Sequence, residues 1–321
     1  MSGLDLIIIG AGPAGLTAAQ YGARANLKVL VIEQLSVGGQ ALIIDVLENY
    51  PGNTAQVDET GKEKAPPKSG YEFAMDLHRQ AESFGASFLF GVVSSIRKNE
   101  NDSFTVNMID GTKHITNAVI IATGAKPKQL GIKGESEFSG RGVSYCATCD
   151  GNFFKNKKIF VVGGGDAACD EARYLSKLTQ TVVIVHRRGE FRAQKSLVKR
   201  TLENPNIEVR FNTVIKEIKG VQKVNSVILE NTITGGKSED LAHAVFIFAG
   251  TVPQSSLAKD LNAALDEGGY IITDKNMATN VPGLYAAGDV RSGAFRQVVT
   301  AAADGAAAAH YAAGYIDALK S

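Results

Sequence analysis

The chain has 321 residues, of which 44% are hydrophobic and 21% charged, with a net charge of +1. Its length suits about two domains of ~150 residues each, and its composition is that of an ordinary soluble globular protein. So balanced a charge leaves no electrostatic footprint for nucleic acid or an anionic membrane, and neither is expected as a partner.

Residues 4–9 form a continuous apolar run that ends in glycines, the pattern of a buried parallel strand. A helix over 13–25 and a strand over 29–32, closing at Glu33, complete a βαβ opening. The stretch 53–69 is polar, contains Pro66-Pro67 and is expected to be a solvated loop. Helical spacing of Phe73, Leu77, Ala81 and Phe84 predicts a helix over 71–84. Short strands follow at 87–89, 92–97 and 104–108, then, after the Asp110-Gly111 turn, at 113–115. A buried strand over 118–122 ends in Ala122-Thr123-Gly124.

The order then restarts. A strand is predicted over 158–162, a helix over 166–178 and a strand over 181–185. Three further strands, at 208–211, 214–219 and 224–229, read as a second small antiparallel excursion, followed by a buried strand over 244–249. The two halves therefore look internally repeated. Residues 251–321 have no glycine cradle of their own and are expected to complete the first domain. They contain an apolar strand over 285–290 and an alanine-rich helix from about residue 299.

Each half carries a glycine cradle between a strand and a helix. The first is Gly10-Ala11-Gly12-Pro13-Ala14-Gly15 and the second Gly163-Gly164-Gly165-Asp166-Ala167-Ala168. Glycines let the backbone approach a pyrophosphate, and the helix N-terminus offers free N–H groups and a positive dipole end. The residue 23 positions beyond each first glycine differs in charge: Glu33, followed by Gln34, in one copy, and His186-Arg187-Arg188 in the other. A carboxylate there accepts from ribose hydroxyls and repels an added phosphate, so the first cradle suits FAD or NAD. The basic cluster, joined by Arg192, does the reverse and suits NADPH. Asp166 is expected to be a helix N-terminal residue.

Between the cradles lies Cys146-Ala147-Thr148-Cys149. Three cysteines in all cannot form a secreted disulfide framework. With no basic n-region ahead of a long apolar h-region, the cytoplasm is the expected compartment. There, a lone Cys-x-x-Cys is a redox pair or a metal site. Zinc needs four ligands, and neither Cys169 nor His114 nor His186 has ligand spacing, so no metal is expected. Asp150 follows the pair directly and can serve as a general acid toward a sulfur. Cys169 is expected to be buried in the helix after the second cradle.

These motifs, together with Gly38-Gly39-Gln40, Glu48-Asn49-Tyr50-Pro51-Gly52, Ala287-Gly288-Asp289 and Phe295-Arg296-Gln297-Val298, make the chain resemble the low-molecular-weight thioredoxin reductases from about residue 3 to its end. The resemblance implies an α/β fold with two Rossmann-like domains, the second inserted into the first. Residues 1–125 and 251–321 would bind FAD, with Gln40, Asn49, Asp289, Arg296 and Gln297 near it. Residues 126–250 would bind NADPH and carry the redox pair. It implies that Cys149 faces the flavin, that Cys146 attacks the disulfide of thioredoxin, and that Asp150 donates the proton. It also implies a homodimer whose inserted domain swings on hinges near 125–127 and 250–253. Two features depart from the family pattern: a longer 53–69 loop, and Gln254 where asparagine is usual. A peroxiredoxin-reducing subunit, an oxidase and a flavin-binding redox sensor are the rival functions. An oxidase is expected to lose the basic cluster, a peroxiredoxin reductase to carry extra N-terminal redox domains, and a sensor to bind without turnover.

Overall fold

The fold is described from a computed structural model covering residues 3–44, 46–47, 49–60 and 63–320. Glu48 of the matched motif and residues 61–62 of the polar loop lie outside the described residues. The chain divides into two compact units, Met1–Lys126 with Val252–Ser321, and Pro127–Thr251.

The first unit opens with β1 (Leu4–Ile9), almost wholly buried. Helix α1 (Pro13–Arg24) follows at once, with Pro13 at the first helical position, where a missing N–H costs nothing. Strand β2 (Val29–Glu33) pairs parallel to β1. The polar loop holds a small hairpin, β3 (Gln56–Val57) with β4 (Glu63–Ala65), which its low apolar content conceals in the sequence. Buried Asn53 ties the loop's two ends together, donating to the carbonyls of Leu47 and Lys68 and accepting from the Lys68 N–H. Helix α2 (Gly70–Ser83) starts with a capping box between Ser69 and Glu72.

Next come β5 (Ser87–Phe90), β6 (Val93–Lys98), β7 (Phe104–Met108) and β8 (Lys113–Ile121), in a sheet ordered β5-β2-β1-β8-β7-β6. The expected three-stranded excursion is corrected here: β5 lies parallel to β2 at the sheet edge, and the antiparallel pairings are β6 with β7 and β7 with β8. The two strands expected at 113–115 and 118–122 are one, because β8 runs on unbroken from its antiparallel pairing with β7 over Lys113–Thr116 into its parallel pairing with β1 up to Ile121.

The chain crosses between units at β9 (Ala125–Pro127), which pairs with a strand of the return crossing. The second unit contains β10 (Val143–Ser144), α3 (Ala147–Asp150), β11 (Ile159–Val162), α4 (Asp166–Leu175) and β12 (Val182–Val185). Helix α5 (Lys195–Leu202) leads to β13 (Ile207–Arg210). Then follow β14 (Thr213–Gly220), β15 (Val224–Asn231), β16 (Lys237–Leu241) and β17 (Ala244–Ile247). A five-stranded parallel sheet runs β10-β17-β11-β12-β13. The same correction applies as in the first unit. Strand β13 belongs to the parallel sheet, and the antiparallel set is β14-β15-β16.

The return crossing is β18 (Thr251–Pro253). Helix α6 (Ser256–Lys259), β19 (Leu284–Ala286) and α7 (Val298–Lys320) complete the first unit. Strand β19 pairs parallel to the C-terminal end of β8, beyond where β7 stops. The alanine run of α7 packs its small side chains on α1. A Cβ on Gly305 would lie 2.0 Å from the Ala14 carbonyl oxygen, so this approach admits only glycine. The core of the first unit lies on both faces of its sheet, with Leu6, Ile8 and Ala118 on one and Ile7, Val119 and Ile121 on the other.

Candidate functional site

In the first unit the glycines of the cradle have distinct uses. Gly10 adopts a φ of +104°, and a Cβ there would lie 2.4 Å from the Ala122 carbonyl oxygen. A Cβ on Gly15 would lie 1.8 Å from the Gly10 carbonyl oxygen, so helix and turn close on one another. Gly12, the extended N-cap of α1, faces open space and caps no N–H with a side chain. The free N–H groups of the first helical turn therefore present themselves to a phosphate. Glu33 secures the turn: its two carboxylate oxygens accept from the N–H groups of Ala11 and Leu35, at 2.8 and 2.9 Å. Gln34 beside it is exposed.

Among the other expected residues of this unit, two glycines pack on the cradle and several of the rest bond to one another or to neighbouring backbone. A Cβ on Gly39 would lie 3.1 Å from Gly12 Cα, and one on Gly288 3.0 Å from Ala14 Cβ. Asn49 Nδ2 donates to Gln297 Oε1 at 2.9 Å, just before Val298 opens α7. Gln40 donates to the Ala125 carbonyl, next to Gly124. Thr123 Oγ1 donates to the Gln254 carbonyl at 2.6 Å, and the Gln254 N–H donates to the Gly124 carbonyl at 2.9 Å. Gln254 thus meets this segment through its main chain, and the departure from asparagine leaves that pairing intact.

The Arg296 guanidinium stacks 4.4 Å from the Tyr270 ring centroid, and its buried Nε has no acceptor among the described residues. Burial pushes the Asp289 carboxyl up, while Arg296 draws it partly back. A glycine cradle open at Gly12, a helix N-terminus and an orphaned buried donor together fit a dinucleotide such as FAD.

Sequence reasoning missed the support of this turn. Asp304, buried in α7, takes Arg291 as a two-pronged partner at 2.6 and 2.9 Å and accepts from the Gly288 N–H at 3.2 Å. An aspartate in an alanine-rich helix gives no sign of this in the sequence. Asp304→Asn leaves Arg291 without a counter-charge, and is expected to lower the unfolding free energy by about 3 kcal/mol in urea denaturation.

The second cradle repeats the geometry of the first. Gly165 is the extended N-cap of α4 and, like Gly12, faces open space. Ala168 stands where the first copy has Gly15, its methyl against Gly163. Asp166, at the first turn of α4 as expected, accepts from the Gln194 N–H at 2.8 Å; Ala167 next to it is exposed. The Arg192 N–H donates to the Gly164 carbonyl at 2.7 Å. Arg187, Arg188 and Arg192 are exposed beside the cradle. His186 is a correction to the expected basic cluster: it is 5% exposed, packs beneath Gly164 and stacks on Phe191. Burial, with Arg192 next in effect, pushes its imidazole below the usual range, so it adds no positive charge there.

Cys146 and Cys149 are joined as a disulfide in this same unit. Cys146 is the N-cap of α3, and its Sγ accepts from the Cys149 N–H at 3.2 Å. Asp150 ends α3, with its Oδ2 taking the Ser144 hydroxyl at 2.6 Å. Ser144 Oγ in turn accepts from the Cys146 N–H at 3.1 Å. The residue before Cys146 is also tethered, since Tyr145 Oη donates to buried Glu135 at 2.8 Å, and burial with this bond pushes the phenol up. Ser144, Glu135 and Gln194 carry no motif and were not among the expected residues. Cys169 is fully buried in α4, as expected, and burial raises its thiol.

Comparison with known proteins agrees with this geometry. Residues 4–305 match the family model described as pyridine nucleotide-disulphide oxidoreductase. A thioredoxin reductase of Treponema pallidum is 52% identical over 99% of this chain and 98% of its own length. One from Peptoclostridium acidaminophilum is 44% identical over 98% of this chain and 97% of its own. The crystal structure of a thioredoxin reductase from Streptococcus pyogenes superposes with a TM-score of 0.86 at 42% identity, covering 98% of both chains. No helix among the described residues is long and apolar enough to cross a membrane. With two nucleotide cradles, a disulfide held on the second unit and likeness along nearly its whole length, the chain belongs to the thioredoxin reductases within the pyridine nucleotide-disulphide oxidoreductase family.

Proposed function

We propose that this chain is an NADPH-dependent flavoenzyme that reduces the disulfide of thioredoxin. The first unit binds FAD and the second NADPH, and the enzyme works as a homodimer. The observation that carries the reading is the Cys146–Cys149 disulfide at the start of α3, in the unit whose second cradle is flanked by three exposed arginines.

FAD supplies two-electron chemistry between a hydride donor and a disulfide. The protein's own part is to orient and to move protons. Gly12 and Gly165 leave room for the two pyrophosphates. Arg187, Arg188 and Arg192 take the 2′-phosphate of NADPH. Two electrons and two protons convert the Cys146–Cys149 disulfide to a dithiol. Cys146, as thiolate, attacks one sulfur of the thioredoxin disulfide, and a mixed disulfide forms as the other sulfur leaves. Cys149 then attacks Cys146 Sγ, releasing the second thioredoxin sulfur and restoring the pair. The protons taken up by thioredoxin are those lost by Cys146 and Cys149, relayed through Asp150.

Anaerobic titration of the yellow holoenzyme tests the reading. NADPH is expected to bleach the flavin and thioredoxin to restore its colour, with NADH a poor donor. Equal use of NADH would overturn the cofactor assignment. Faster reoxidation by peroxiredoxin or oxygen than by thioredoxin would favour the rival functions.

A further inference from the structure

Asp150 does not stand alone at the end of α3. Ser144 is buried in the last position of β10, and its one hydroxyl joins the two ends of the redox turn: it gives its proton to Asp150 Oδ2 at 2.6 Å and receives the Cys146 N–H at 3.1 Å. At 3.3 Å the Cys146 carbonyl is the weaker alternative acceptor for the same proton.

We propose that Ser144 is a positioning residue for proton transfer, its hydroxyl fixing both the direction in which Asp150 points and how tightly Asp150 holds its proton. This rests on the reading of Asp150 as proton relay. A hydroxyl donated to a carboxylate favours the ionised form. With Ser144 in place Asp150 therefore releases its proton more readily to a departing sulfur. Ser144 keeps its own proton throughout and turns it toward the oxygen that has gained charge, and Asp150 is reprotonated by the next thiol to ionise. The N–H of Cys146 on the same oxygen keeps the attacking residue and the acid in a fixed relation.

Other groups near α3 also titrate. Packed against it, α4 carries Asp166, Cys169, Asp170, Glu171, Arg173 and Tyr174. Burial, aided by Asp170, pushes Glu171 up to about 7. Tyr145, with Glu135, leads into the turn from β10, and Lys155 follows the turn after α3. A direct measurement on Asp150 is therefore needed. The test is an NMR pH titration of aspartate carboxyl carbons in the oxidised holoenzyme, with the Asp150 signal assigned by its loss in Asp150→Asn. Ser144→Ala is expected to raise the Asp150 midpoint by roughly one pH unit, the effect of losing one hydrogen bond to a charged group. Ser144→Thr is expected to restore it.

In parallel, thioredoxin reduction is followed from about pH 5 to about pH 9. A general acid must be protonated, so the alkaline limb is expected to move up with the midpoint in Ser144→Ala. No such change is expected when Asp150→Asn is already present. An unmoved Asp150 midpoint in Ser144→Ala overturns the proposal, and so does a limb shift that persists in the double variant. A limb unchanged by Asp150→Asn alone overturns instead the assignment of Asp150, while the titration still decides whether Ser144 governs its proton.

Discussion

Cys146→Ser is expected to lower thioredoxin reduction by on the order of 10³-fold or more while NADPH still bleaches the flavin. The two half-reactions use different atoms. Flavin reduction would draw on the two glycine cradles, whose glycines and helix N-termini lie elsewhere in the sequence. Thioredoxin reduction needs a thiolate, and in the proposed reaction Cys146, whose sulfur takes the Cys149 N–H at 3.2 Å, supplies it. A serine hydroxyl in that place is almost wholly protonated near neutral pH and is a poor nucleophile toward sulfur. Stopped-flow absorbance for the first half-reaction and a coupled thioredoxin assay for the second separate the two. Retained thioredoxin reduction would transfer the attacking role to Cys149.

The second large effect concerns the electron donor. Arg187→Ala with Arg188→Ala is expected to lower kcat/KM for NADPH by about 10²-fold or more and to leave kcat/KM for NADH nearly unchanged. In the proposed complex each arginine lost would remove a charge-assisted hydrogen bond to phosphate, and such bonds contribute about 1.5–3 kcal/mol each. Both side chains are exposed, so the fold loses little when they are truncated. A parallel fall with NADH would show that they do something other than recognise the extra phosphate. His186→Ala would be an unsuitable third member of this set, because the ring supports Gly164 from beneath and its loss disturbs the cradle itself.

Legibility of the fold in the sequence followed hydrophobic patterning. Strands β1, β11, β12 and β17 are short apolar runs buried on both faces, and their order alone revealed the repeated βαβ plan. Strands β5 and β13 each sit a few residues from the next strand, which in the sequence reads as an antiparallel connection. The helix before each one, α2 or α5, is a crossover that returns the chain parallel to its sheet. Strand β16, Lys-Ser-Glu-Asp-Leu, is mostly exposed and has no apolar face to announce it. At the site, glycines and cysteines were legible because their chemistry is local to a motif. His186 misled because spacing tells how far along the strand a residue lies but not whether its ring turns inward. Asp304 and Ser144 act through hydrogen bonds to a neighbouring turn, and no residue type or interval marks such a partner.

One arrangement in the second unit has a consequence for how coenzyme preference can be altered. The segment bearing the three arginines is fastened to the glycine turn by main-chain amides, Arg192 to the Gly164 carbonyl and Gln194 to the Asp166 side chain. None of those fastenings uses a guanidinium. If the arginines take the 2′-phosphate as proposed, selectivity is written on interchangeable side chains over a backbone that stays put, and a neutral or acidic replacement inherits a ready-made scaffold. Retargeting the protein to a different reductant becomes a matter of a few surface exchanges, with the loop needing no redesign.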